Sequence, residues 1–125
     1  MPIGDIQLKE LRDDMGFSPE LLKLVYESHP QMFEIIYNMD RNLLNDGKLS
    51  AKMKRLIAFA VVSATSCEAC ATSQMKAAMN LGATQEEILE TLGVLVVTAG
   101  MPAVAIAREA FKKCCELPEQ EWGGE

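Results

Sequence analysis

Aromatic residues are scarce: one Trp, two Tyr and four Phe, six per cent of the chain. Sheets draw on aromatic and β-branched side chains, whereas the Ala, Leu and Met that fill this sequence favour helices. No strand pattern, internal repeat or domain boundary appears along the 125 residues, a length that suits one ordinary domain. Positive charge is also in short supply. Twelve Lys and Arg against eighteen Asp and Glu leave a net charge of −6, which argues against the clustered basic surface that nucleic acid demands. Long hydrophobic runs are missing too. The longest, Leu92 to Ala107, is broken by Gly93, Thr98, Gly100 and Pro102; at about 16 residues it is too short for a membrane span of about 20. The opening Met1-Pro2-Ile3-Gly4-Asp5 has no basic region leading into an apolar one, so the expectation is no export signal and a cytoplasmic location. Histidine occurs once, at His29 beside Pro30. Any His-dependent mechanism must use it, and at a helix junction a structural role is the expectation.

What the sequence does have is helix punctuation. Ser18-Pro19-Glu20 reads as an N-cap, a first-turn Pro and a first-turn acid ahead of Leu21, Leu22, Leu24 and Val25. His29-Pro30 ends that helix and starts another with Met32, Phe33, Ile36, Tyr37 and Met39, and Asn45-Asp46-Gly47 is a turn. Ser50 caps a third helix, where Met53, Leu56, Ile57, Ala60, Val61 and Ala64 follow the i, i+3, i+4, i+7 rule. The spacing predicts that these residues face the core and that Lys52, Lys54 and Arg55 face solvent. The helix after Thr65-Ser66 stops at Gly82, a left-handed C-cap. Thr84-Gln85-Glu86-Glu87 is a capping box. The helix it opens is apolar almost all round after Leu92 and must be covered on every side; in a chain this small, part of that cover is expected from another subunit. Pro102 suits the first turn of a last helix running to about Cys115, and 116–125 reads as a frayed tail that Trp122 tacks down. The eight methionines sit at core spacings. The fold expectation is one all-α domain over 1–125, a six- or seven-helix bundle with its core in 18–115, oligomerising through apolar helices.

Cys67-Glu68-Ala69-Cys70 is the motif with a chemical mechanism. Cysteines three apart lie on one helix face, close enough for a small adjustment to join them. At a helix N-terminus, free N–H groups and the macrodipole stabilise a thiolate. Cys67 is therefore expected to attack and Cys70 to resolve. Taken alone, the motif leaves metal binding and inert packing open. Glu68 reads equally as a base near the thiols or as a solvated first-turn acid. Cys114-Cys115 is expected to be a pair of plain thiols, because neighbours on a helix point about 100° apart. A four-thiolate metal site from all four cysteines has the wrong spacing for the common zinc pattern.

Leu56-Ile57-Ala58-Phe59-Ala60-Val61, the Cys67–Cys70 motif, Leu81-Gly82-Ala83-Thr84 with Glu86-Glu87-Ile88, and Gly100-Met101-Pro102-Ala103 together resemble the carboxymuconolactone decarboxylase and alkylhydroperoxidase D family. The resemblance implies an alkylhydroperoxidase D-like helical fold assembling as trimers or hexamers. It also implies, for members with the cysteine pair, reduction of peroxides or electron transfer to a peroxiredoxin with help from a glutamate and a histidine. By that alignment the histidine position holds Gln74 and the glutamate position Arg55. Gln74 keeps the geometry but cannot move a proton; Arg55 stabilises a thiolate if it points inward.

The expected function is thus a thiol-dependent oxidoreductase, peroxiredoxin-like or disulfide-reducing. Its site residues are Cys67, Cys70, Glu68, Gln74 and Arg55. It takes a small peroxide or disulfide substrate and a dithiol donor or peroxiredoxin, with no flavin, metal, nucleic acid or membrane. A decarboxylase-type lyase, which would survive blocking of both thiols, and a non-catalytic scaffold or binding protein are the alternatives.

Overall fold

The computed structural model describes residues 3–15 and 20–115. Among them are seven helices and no strand: α1 Ile3–Met15, α2 Glu20–Ser28, α3 Pro30–Leu43, α4 Ala51–Ala64, α5 Glu68–Asn80, α6 Gln85–Ala99 and α7 Met101–Cys114. The Ser18-Pro19 signal and the tail with Trp122 lie outside the described residues. No helix among the described residues is long and apolar enough to cross a membrane.

Helix boundaries follow the local chemistry. The Ser50 hydroxyl accepts the Met53 N–H at 3.0 Å and starts α4. At α6 the Thr84 hydroxyl accepts the Glu87 N–H at 3.1 Å, and the Glu87 carboxylate accepts the Thr84 N–H at 2.9 Å. Gly82, at φ 96°, turns the chain out of α5. There the Gly82 and Ala83 N–H groups reach back to the Met79 and Ala78 carbonyls at 3.0 and 2.9 Å.

Helices α4, α5, α6 and α7 enclose the core, and α1 lies against α5. Leu56, Phe59, Met75, Ile88, Leu95 and Phe111 supply its bulk. Ala71, Ala78, Ala103, Ala107 and Ala110 are buried between the helices, and side chains that small allow close helix approach. Helices α2 and α3 pair beside this core, with Phe33 buried between Tyr26 (edge-on, 5.3 Å) and Tyr37 (stacked, 6.1 Å).

The structure departs from the sequence pattern in three places. Helix α1 precedes the first helix the sequence marks; it has no strong cap signal, but Lys9 and Asp13, one turn apart, pair at 2.9 Å. In α4 the buried stripe is Ala51, Arg55, Leu56, Phe59 and Ser63. Met53, Ile57 and Val61, expected inside, are 44, 46 and 56% exposed, while Arg55, expected outside, is 5% exposed. The apolar periodicity was real, but it marks two faces. Helices α5 and α7 cover the Leu56–Phe59 face, and Arg55 is buried because polar partners meet it inside. The methionines divide likewise: Met75 is fully buried, whereas Met32, Met39, Met53 and Met101 are exposed.

Candidate functional site

The site begins where α4 ends. Ser66 takes a left-handed φ of 65°, and its N–H and that of Cys67 bond back to the Ser63 and Val62 carbonyls at 3.1 and 3.0 Å. This is the two-bond C-terminal turn usually built on glycine. Its last residue, Cys67, is at once the N-cap of α5, extended at φ −97°, ψ 93°. One tight reversal therefore sets the cysteine against the free N–H groups of the next helix. The Cys67 Sγ accepts the Cys70 N–H at 3.3 Å and is joined to Cys70 in a disulfide, with the Cα atoms 5.2 Å apart. Cys67 is half-buried and Cys70 exposed.

Glu68, the first residue of α5, is drawn to Lys113 of α7, whose Nζ lies 2.9 Å from the carboxylate. That hydrogen bond raises the Lys113 pKa. Both side chains are open to water, so the pair adds little stability. Gln74 stands one turn beyond Cys70, and its Oε1 accepts from Arg55 Nη1 at 3.0 Å. Arg55 points inward, and its Nη1 and Nη2 also donate to the Asp40 carboxylate of α3 at 3.4 and 3.1 Å. The structure thus gathers Cys67, Cys70, Glu68 and Gln74 on the first half of α5 and ties Arg55 to that helix through Gln74.

Asp40 is the residue that sequence reasoning missed. It falls seven positions after the buried Phe33, two turns along the same face of α3, so an acid there marks a buried partner. A cavity of about 190 Å³ opens beside it, lined by Asp40, Arg41, Asn42, Asn45, Arg55 and Asn80 among others.

Cys114 and Cys115 are free thiols, half-buried. The Cys114 thiol points to the Thr72 carbonyl at 3.5 Å and that of Cys115 to the Met79 sulfur at 3.9 Å. Burial pushes both pKa values up. Among the described residues no group of three or more His, Cys, Asp or Glu is placed to hold a metal ion. His29 is exposed at the head of α3 and makes no side-chain cap bond.

Residues 30–113 match the carboxymuconolactone decarboxylase family. The Methanocaldococcus jannaschii protein MJ0742 is 36% identical over 98 residues, covering 78% of this chain and 94% of its own. A second protein of that organism, MJ1511, is 35% identical over 92 residues, or 74% and 86% of the two chains. Among solved structures, lpg0406 from Legionella pneumophila, a carboxymuconolactone decarboxylase family protein, superposes with a TM-score of 0.70 at 28% identity, covering 87% of this chain and 91% of its own. The chain belongs to the carboxymuconolactone decarboxylase family.

Proposed function

We propose that the protein is a cytoplasmic, homo-oligomeric thiol–disulfide oxidoreductase working through Cys67 and Cys70. The observation that carries this reading is the placement of Cys67 as N-cap of α5, its sulfur bonded both to the Cys70 N–H and to the exposed Cys70 sulfur. A helix N-terminus stabilises the thiolate that attack requires. In the forward direction the Cys67 thiolate attacks one sulfur of a disulfide RSSR, forming Cys67–S–S–R and releasing RS⁻. The Cys70 thiolate then attacks the Cys67 sulfur, releasing the second RS⁻ and closing the pair. A dithiol donor reverses both steps on the closed pair and is itself oxidised to a disulfide. Disulfide exchange is favoured over peroxide reduction because Gln74 supplies no proton.

The test is dithiol-driven reduction of a small chromogenic disulfide. Wild type should exceed the uncatalysed rate, Cys67→Ser should abolish the excess, and Cys70→Ser should accumulate a mixed disulfide on Cys67, visible by mass spectrometry. If neither variant changes the rate and no mixed disulfide forms, the reading fails. Family membership and the polar cavity beside Asp40 support a second reading, a lyase acting on a small acid. Its activity would persist after both thiols are alkylated. Unreactive thiols with no turnover of either kind would leave a scaffold.

A further inference from the structure

Two hollows share a wall at the C-terminal end of α3. One is the polar cavity of about 190 Å³ beside Asp40; the other is a groove of about 350 Å³ between α2 and α3. Asp40 and Leu44 line both. Apart from Tyr37 and Asp40 the groove is apolar, walled by Leu22 of α2 and by Ile36, Met39 and Leu43 of α3. The last three recur at i, i+3 and i+7 and so form a row along one helix face. Met39 and Leu43 remain more than half exposed.

The polar cavity favours negative charge. Its lining carries two guanidiniums, Arg41 and Arg55, against one carboxylate, Asp40. The Arg55 side chain is 7% exposed. Its bonds to Asp40 and Gln74 engage three of its five N–H donors, which leaves two for an occupant of the cavity it lines. Arg41 is steadied by the Tyr37 ring, 5.2 Å from its guanidinium, and by Glu10 at 3.6 Å, a carboxylate half exposed to water and screened by it. Behind the lining stand one charge of each sign: Lys54 donates to the Asn45 carbonyl and Asp46 accepts from the Ala51 N–H, both at 2.7 Å.

We propose that this end of α3 binds an amphiphilic carboxylate, a straight-chain acid whose head meets Arg41 and Arg55 and whose alkyl chain lies in the groove. A charged end and a hydrocarbon end match a polar and an apolar hollow set side by side. Together the two volumes fall within the about 300–1,000 Å³ of small-molecule sites. The cavity reaches Ala77, Asn80 and Leu81 at the end of α5, on the order of 15 Å along that helix from Cys70. Binding there needs no thiol chemistry, and affinity rather than turnover tests it.

The experiment is calorimetric titration of the full chain at neutral pH with butanoate, hexanoate, octanoate and octan-1-ol. One site per chain should fill, with affinity rising about fourfold for each added methylene. Octan-1-ol keeps the tail and loses the charge, and should bind at least about tenfold more weakly than octanoate. Arg41→Gln should weaken butanoate and octanoate alike, by about tenfold, and spare octan-1-ol. Leu43→Asp, at a position 65% exposed, should keep the melting temperature and weaken octanoate by at least about tenfold, with butanoate hardly changed. No saturable binding, octan-1-ol as tight as octanoate, or an affinity indifferent to chain length overturns the proposal. So does octanoate binding that neither variant alters.

Discussion

Cys114 lies against the Thr72 carbonyl, two residues past Cys70 in sequence, and differs from Cys67 in surroundings more than in chemistry. Burial disfavours its thiolate, and the neighbouring Cys115 adds to the shift; Lys76 and Lys113 offset only part of it. Alkylation tracks the thiolate fraction, and the folded pKa lies above the ordinary 9.0. Labelling at Cys114 should therefore be slow at pH 7 and still climbing past pH 9. After mild reduction, Cys67 should label first, at least about tenfold faster at pH 7. Site-resolved mass spectrometry reads both rates, and a fast Cys114 would contradict the burial argument. The same scale shows what a sequence conceals. The Cys67–Cys70 pair is legible because its spacing is itself the chemistry. Arg55 is not, since periodicity scores a charged residue as solvent-facing, and its burial is accounted for by Asp40, fifteen positions earlier, and Gln74, nineteen later, each on another helix. Asp40 in turn carries no motif; its one signal is its phase with Phe33.

Elements were easier to read wherever a cap spelled them out. Ser50, Thr84 with Glu87, and Gly82 each perform the local bond that their residue type implies. Helix α1 has no such marker. In sequence the turn between α4 and α5 shows only a polar break, because Ser66 occupies a position where glycine is the usual signal. A non-glycine residue at φ 65° carries a cost of about 1–2 kcal/mol, partly offset by the freedom that glycine restores to the unfolded chain. Ser66→Gly should therefore stabilise the fold by about 0.5–1 kcal/mol, a rise of a few degrees in melting temperature for a domain of about this size. Ser66→Val should destabilise it, since a β-branched residue tolerates that φ poorly. The hydroxyl makes no bond needed by the cysteines, so the Cys67–Cys70 disulfide should still form in Ser66→Gly. A fall in melting temperature would mean that the serine side chain, rather than the backbone, holds the turn.

At the scale of the molecule, the seven helices leave apolar surface that a single chain does not cover. Met53, Ile57 and Val61 on α4 point out, and on α6 Val94 and Val97 are 61 and 87% exposed. Isolated apolar side chains at a surface are ordinary, but rows of them along packed helices mark an interaction face. The sequence had already indicated as much for α6, whose last turns have no polar side; the α4 row was legible too, though it read as core. A second copy of the chain is the economical cover, since it brings the same uncharged rows to the contact. Light scattering on the full chain should then give a mass that is a whole multiple of 13.8 kDa, above one. Val97→Glu tests the face directly. At 87% exposure the new carboxylate sits in water in a lone chain and should leave its fold intact, with circular dichroism unchanged. In an assembly the same charge is buried without a partner, a cost of several kcal/mol per contact, and the mass should drop to that of one chain. A wild-type protein that is monomeric at micromolar concentration, or a Val97→Glu variant that assembles unchanged, would move the interface elsewhere and leave the α4 and α6 rows without a reason.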